Sequence, residues 1–251
     1  MKKIMNCPEN YVDEMLKGIY SAHPDQLKYA AGDRRCCCIA EKKPGKVAII
    51  TGGGTGHLPL FLGYVGEGLL DGCAVGNVFA SPSADNMLEM IKAVDQGSGV
   101  LCLYGNYGGD KMNFRMAQDL AEFEDIQTDK VLVCDDIASR CKAERDMRRG
   151  VAGMVYAFKI AGAAADELRP LSEVAEITRR ALDNIRTMGL ALTPCIVPEV
   201  GKPTFQIAED ELELGMGIHG EPGIEVCPLE SAREMAKRMV DIVLPDYPFE
   251  S

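Results

Sequence analysis

The chain carries three histidines, His23, His57 and His219, and two of them stand in glycine-rich segments. His57 closes Thr51-Gly52-Gly53-Gly54-Thr55-Gly56-His57, and His219 is set in Gly215-Met216-Gly217-Ile218-His219-Gly220-Glu221-Pro222-Gly223. Glycine that dense removes side chains, so a small ligand can touch backbone N–H groups and an imidazole together. An imidazole so placed can serve as nucleophile, general acid or general base. His23 follows a helical pattern and reads as a helix-end residue. Asp110 comes after Gly108-Gly109 and opens another helical pattern. It has two readings: an N-cap, or a general base aimed into the same cleft as His57.

Other constellations weigh less. The 52–57 segment is not a Walker A loop, because no Lys-Ser/Thr pair follows its last glycine. Its G-x-G-x-x-H spacing imitates a dinucleotide fingerprint, but Pro59 comes at once, and the acidic residue nearest the ribose-reading position, Asp71, falls in an expected turn. Asp135 and Asp136 are neighbours, and neighbours on a strand face opposite ways, so they read as cap and turn residues rather than a metal pair. Arg148 and Arg149 read as structural anchors rather than a phosphate clamp. Ten cysteines include the consecutive Cys36-Cys37-Cys38 but no CxxC pair, which points to buried reduced thiols.

The elements that must position these residues follow from periodicity. Helical spacing predicts helices over 10–23, 84–94, 110–124, 151–166, 171–188 and 230–242, the last running into Pro245 and Pro248. Short apolar runs predict strands at 46–50, 75–80, 100–104 and 130–134, with shorter β-like runs at 190–197, 204–208 and 211–218; residues 24–45 read as irregular. Strand, loop and helix in repetition predict an α/β fold, a mainly parallel sheet flanked by helices. In such a sheet the loops at 52–57, 81–83, 106–110 and 135–136 converge on the carboxyl end, where ligands bind. Residues 1–187 are expected to form this first domain, and 188–251 the start of a second, incomplete α/β domain carrying His219.

Composition narrows the function. A net charge of -11 over 251 residues argues against nucleic acid and anionic membrane surfaces as partners. No run reaches the ~18 apolar residues of a membrane span. Asn6-Cys7-Pro8-Glu9-Asn10 stands where a secretory signal needs an apolar stretch, so a cytoplasmic location is expected.

Six ordered motifs carry a resemblance: Gly52-Gly53-Gly54-Thr55-Gly56-His57; Phe79-Ala80-Ser81-Pro82; Asn106-Tyr107-Gly108-Gly109-Asp110 with Asn113-Phe114; Arg148-Arg149-Gly150-Val151-Ala152-Gly153; Gly201-Lys202-Pro203-Thr204-Phe205; and Gly217-Ile218-His219-Gly220-Glu221-Pro222-Gly223-Ile224. Across nearly its whole length the chain resembles the dihydroxyacetone-binding subunits of dihydroxyacetone kinase. The resemblance implies that His219 captures dihydroxyacetone or a similar small ketose as a covalent hemiaminal. It implies further that Asp110 deprotonates the attacking hydroxyl, that His57 polarises it, and that Gly54 and Ser81 contact the substrate. It places no cofactor or metal on this chain: ATP or phosphorylated ADP, with Mg2+, belongs to a nucleotide-binding partner subunit. A homodimer is compatible with it. The alternative it leaves is a non-catalytic ketose-sensing or coactivator paralog.

Two positions depart from the family pattern. Gly105 stands where a lysine is common, and Leu58 where an acidic residue is common, so a roomier, less polar pocket open to a tetrulose is expected. Family members run on past the position of Ser251, hence the expectation of an incomplete second domain.

Overall fold

A computed structural model describes residues 3–247, so the Pro248 expectation lies outside the described residues. The main sheet has six strands: β1 (Leu27–Tyr29), β2 (Cys36–Ile39), β3 (Ala48–Gly54), β4 (Gly72–Gly76), β5 (Val100–Gly105) and β6 (Thr128–Val133), in the order β1-β2-β4-β3-β5-β6. β4, β3, β5 and β6 run parallel, while β1 and β2 add an antiparallel edge. Helices cover both faces. On one side lie α1 (Tyr11–Ala22), α4 (Gly153–Asp166) and α5 (Leu171–Leu182); on the other lie α2 (Ala84–Val94) and α3 (Gly108–Glu122). Burial on both faces explains why β3 and β5 read as continuous apolar or small runs rather than alternating ones.

The same physics explains the triple cysteine. Residues 24–45 are not irregular as expected, because β1 and β2 lie within them. Cys37 faces one core, and Cys36 and Cys38 face the other. Three small apolar thiols in a row suit a strand buried on both sides. The alanine-rich α4 packs as its composition predicts. Ala157, Ala161 and Ala165 are buried, and a side chain at Gly162 would strike the backbone of Gly68 and Leu69.

Other boundaries moved for identifiable reasons. β4 lies at 72–76 instead of 75–80, in register with β3 from Ile50↔Gly72 to Gly54↔Gly76. The β3–β4 connection uses short 3-10 turns and no α-helix, so the expected repetition holds only from β4 onward. α5 ends at Leu182 rather than 188, because Thr187 leaves to donate its N–H to the Asp135 carbonyl.

Beyond α5 a second sheet forms, antiparallel, from β7 (Leu190–Ala191), β8 (Glu211–Leu214) and β9 (Glu225–Pro228). The expected strand at 204–208 is absent, and β9 was not expected. α6 (Ala232–Val243) covers this sheet through Met235, Met239 and Ile242, and starts at a Ser231–Glu234 capping box.

Candidate functional site

β3, β4 and β5 end side by side, and the loops leaving them enclose a cavity of about 240 Å³. That volume suits a ligand of a few heavy atoms. Gly54 at the end of β3 and His57 in the following turn form one wall. Phe79, Ala80 and Ser81 come from the loop after β4, and Tyr107 and Asp110 from the start of α3. His219 arrives from the loop between β8 and β9 and completes the lining. All five residues singled out in the sequence, Gly54, His57, Ser81, Asp110 and His219, therefore meet in one cavity.

Their geometry is specific. Nε2 of His57 lies 3.1 Å from Nε2 of His219, with the ring planes at 87°. Burial lowers the His57 imidazole to about 4, with the neighbouring His219 adding to the effect. The Nδ1 of His219 lies 3.1 Å from Oε1 of Glu221, and the His219 backbone N–H donates to Oε2 of the same carboxylate. Burial alone would raise Glu221, but hydrogen bonds from the His219 ring and from the local backbone outweigh it and bring it to about 2.

Asp110 is 5% exposed and sits in the first turn of α3, where Tyr107 is the N-cap, so the N-cap reading of Asp110 does not hold. Its Oδ1 has no hydrogen-bond partner. Burial pushes its carboxyl up to about 6, against the opposing pull of the Ser81 hydroxyl and of His219. A buried carboxylate oxygen without a partner is costly and needs an explanation. Asp110 lines the cavity, so this oxygen can accept a hydrogen bond from a ligand there.

The packing around the cavity comes from aromatic rings. Phe79 and Phe61 flank His57 with ring centroids at 4.7 Å and 5.8 Å, and Tyr107 meets His219 at 4.9 Å. Phe61 and Phe79 adopt φ of 66° and 56°, the left-handed region that non-glycine residues avoid at a cost of about 1–3 kcal/mol each. A side chain at Gly53 would collide with the Phe61 ring, so β3 must be bare there. Sequence reasoning did not assign Phe61, Phe79 or Tyr107 to the site. Phe79 and Tyr107 stood inside quoted motifs, whereas Phe61 carried no signal.

The remaining candidates have structural roles. Asp135 accepts from the Val151 and Gly153 N–H groups and from Thr187, and Asp136 pairs with Arg149. The 135–136 loop thus lines no part of the cavity. Arg148 is buried against Asp246. Asp71 is also buried, held by Lys46 and the Ile49 N–H rather than free in a turn. His23 caps the end of α1. Gly105 is not part of the cavity lining, and a Cβ there would stand 2.9 Å from the Tyr107 ring. Leu58 is exposed and is not part of the cavity lining.

A family profile described as Dak1 domain matches residues 17–250. The PTS-dependent dihydroxyacetone kinase 1, dihydroxyacetone-binding subunit of Listeria innocua, is 44% identical over 241 residues, covering 96% of this chain and 73% of that protein. An L-erythrulose kinase of Pectobacterium atrosepticum is 39% identical, over 99% of this chain but 42% of its own length. The dihydroxyacetone kinase of C. freundii, solved in complex with AMP-PNP and Mg2+, superposes with a TM-score of 0.91 at 32% identity, over 98% of this chain and 46% of that one. A dihydroxyacetone kinase operon co-activator superposes with a TM-score of 0.84 at 36% identity, over 91% of this chain and 69% of its own.

Proposed function

The chain belongs to the Dak1 domain family, and on that premise we propose that it is the substrate-binding subunit of a kinase acting on dihydroxyacetone or a similar small ketose. The observation that carries the reading is the convergence of two imidazoles and one buried, unpartnered carboxylate oxygen on a cavity of small-ketose size.

The chemistry is coherent. A neutral imidazole adds to a ketone, and the tether supplies orientation that a three-carbon ligand cannot gain from its few contacts. His219 is the capturing residue. Asp110 takes the proton of the hydroxyl that attacks phosphorus, and His57 polarises that hydroxyl. Gly54 and Ser81 contact the ligand. Polyols lacking a carbonyl are rejected because they cannot be captured.

The phosphoryl group comes from ATP or phosphorylated ADP, held with Mg2+ by a nucleotide-binding partner subunit. The change from the six-stranded sheet to β7–β9 supports a domain division at 187/188. Ten free thiols support a reducing, cytoplasmic location, and among the described residues no helix is long and apolar enough to cross a membrane.

The likeness to a co-activator favours a second reading, a ketose sensor without catalysis. Asp110 argues for the enzyme, since capture alone needs no base. Intact-protein mass spectrometry with dihydroxyacetone tests the proposal. The wild-type chain should gain the mass of one ketose, and His219→Ala should not; an unchanged adduct in the variant would sink it. Adduct without product, in the presence of a competent nucleotide-binding subunit, would favour the sensor.

A further inference from the structure

His219 is held from both ring nitrogens: Nδ1 faces a Glu221 oxygen at 3.1 Å, and Nε2 faces Nε2 of His57 at 3.1 Å. Glu221 is itself held. Its Oε2 accepts from the His219 backbone N–H and lies 3.9 Å from the Arg149 guanidinium, which also binds Asp136 and the Gly215 carbonyl. Gly217 makes this approach fit, because a Cβ there would overlap both Glu221 and Arg149. The carboxylate therefore has a fixed address, reached from the end of β6 through Arg149.

An ionised carboxylate only accepts hydrogen bonds, so the proton between these partners sits on Nδ1 of His219. In a neutral ring the hydrogen bond at one nitrogen decides the state of the other. Nε2 is then left with a lone pair, and the Nε2–H of His57 is its donor. We propose that Glu221 is a positioning residue that locks His219 in the Nδ1–H tautomer, making Nε2 the attacking atom, and that His57 covers this lone pair until a carbonyl displaces it. The inference rests on the reading of His219 as the capturing nucleophile.

The step balances without a co-reactant. Nε2 forms a bond to the carbonyl carbon, and the C=O π pair moves onto oxygen. The positive charge arising on the ring is held by Glu221 through Nδ1–H. One proton then leaves Nδ1 as one reaches the alkoxide oxygen, so the neutral adduct contains every atom of protein and ketose. Breaking the His57–His219 hydrogen bond is part of capture, and it frees the His57 N–H for the ligand.

Nitrogen-15 NMR of the histidine rings in the unliganded chain tests this, and three histidines make assignment direct. In the wild-type protein His219 should show a protonated Nδ1 and an unprotonated Nε2. Glu221→Ala should shift the ring toward Nε2–H and slow adduct formation at least ~10-fold, as loss of a histidine's orienting carboxylate does in catalytic triads. Glu221→Gln should shift it likewise, because its one oxygen stays with the His219 backbone N–H and its amide nitrogen then donates to Nδ1. A wild-type ring protonated at Nε2, or an Ala variant with unchanged tautomer and capture rate, overturns the inference, and the wild-type measurement decides even if a variant fails to fold. The two readings fail separately. The right tautomer with no ketose adduct defeats the proposed function alone, whereas an adduct with the wrong tautomer defeats this inference alone.

Discussion

Asp110 is where function and stability pull apart most clearly. Burial lifts its carboxyl from the ordinary 3.8 to about 6. A folded value above the unfolded one means that the residue costs nothing below the unfolded pKa and destabilises increasingly as pH rises through about 6. At ~1.4 kcal/mol per pKa unit the full cost is on the order of 3 kcal/mol. Asp110→Asn should therefore raise the urea midpoint at pH 8, with the gain shrinking toward pH 4; equal midpoints at both pH values would refute the assignment. In the same variant the phosphorylation rate should fall at least ~10²-fold while the ketose adduct at His219 still forms. For the wild-type enzyme, phosphorylation should rise with pH through about 6, as the base loses its proton. A flat profile from pH 5 to 8 would remove Asp110 from the proton transfer.

At the scale of elements, each site residue depends on a backbone feature that the sequence displays unevenly. The glycines of β3 stood out, but their reason is the Phe61 ring packed where a side chain at Gly53 would be. Helix α2 matched its expected bounds at both ends, because Ser83 is a strong N-cap whose hydroxyl accepts from the Asn86 N–H. α6 is held by a comparable device, so Ser231→Ala should cost about 1 kcal/mol in thermal or urea unfolding, with no loss of ketose capture. Gly217→Ala should do the opposite. It should leave the melting of the first sheet intact while slowing adduct formation ~10-fold or more, because it displaces Glu221 from His219. Wild-type capture in that variant would show that the loop adjusts freely.

At the scale of the whole molecule, Asp246 ties the segment after α6 to the main sheet. It accepts from Arg148 at 2.8 Å and from Arg186 at 2.7 Å, and Arg148 has only 2% of its side chain exposed. The Arg148 hydrogen bond leads the effects that hold Asp246 at about 2, against the pull of burial, with Arg186 adding to them. A depressed carboxylate stabilises the fold above its ordinary pKa and loses that contribution as pH falls toward 2. Asp246→Ala should cost about 3 kcal/mol at pH 7, since removing one partner leaves a buried guanidinium unpaired. A loss below ~1 kcal/mol would show that Arg148 finds another acceptor.

What the sequence determined by itself is local or short-range. The strand–glycine–histidine run, the helix periods and the Ser83 cap follow from residue spacing, because side-chain direction repeats every two or 3.6 residues. His57, His219 and Asp110 were legible for a related reason, since glycine beside histidine or aspartate is conspicuous wherever it occurs, whereas Gly54 and Ser81 were named only by the family resemblance. The strand at 36–39, β9 and the early end of α5 were not legible. Each depends on a partner distant in sequence: Cys37 opposite Cys73, Leu212 opposite Cys227, and Thr187 beside Asp135. Only the tertiary structure decided that His57 and His219, far apart in the chain, lie 3.1 Å from each other, that the Tyr107 ring lies close to Gly105, and that Glu221 stands behind the second imidazole. A through-space arrangement of that kind is set by how the sheets pack, and packing is a property of all the elements together.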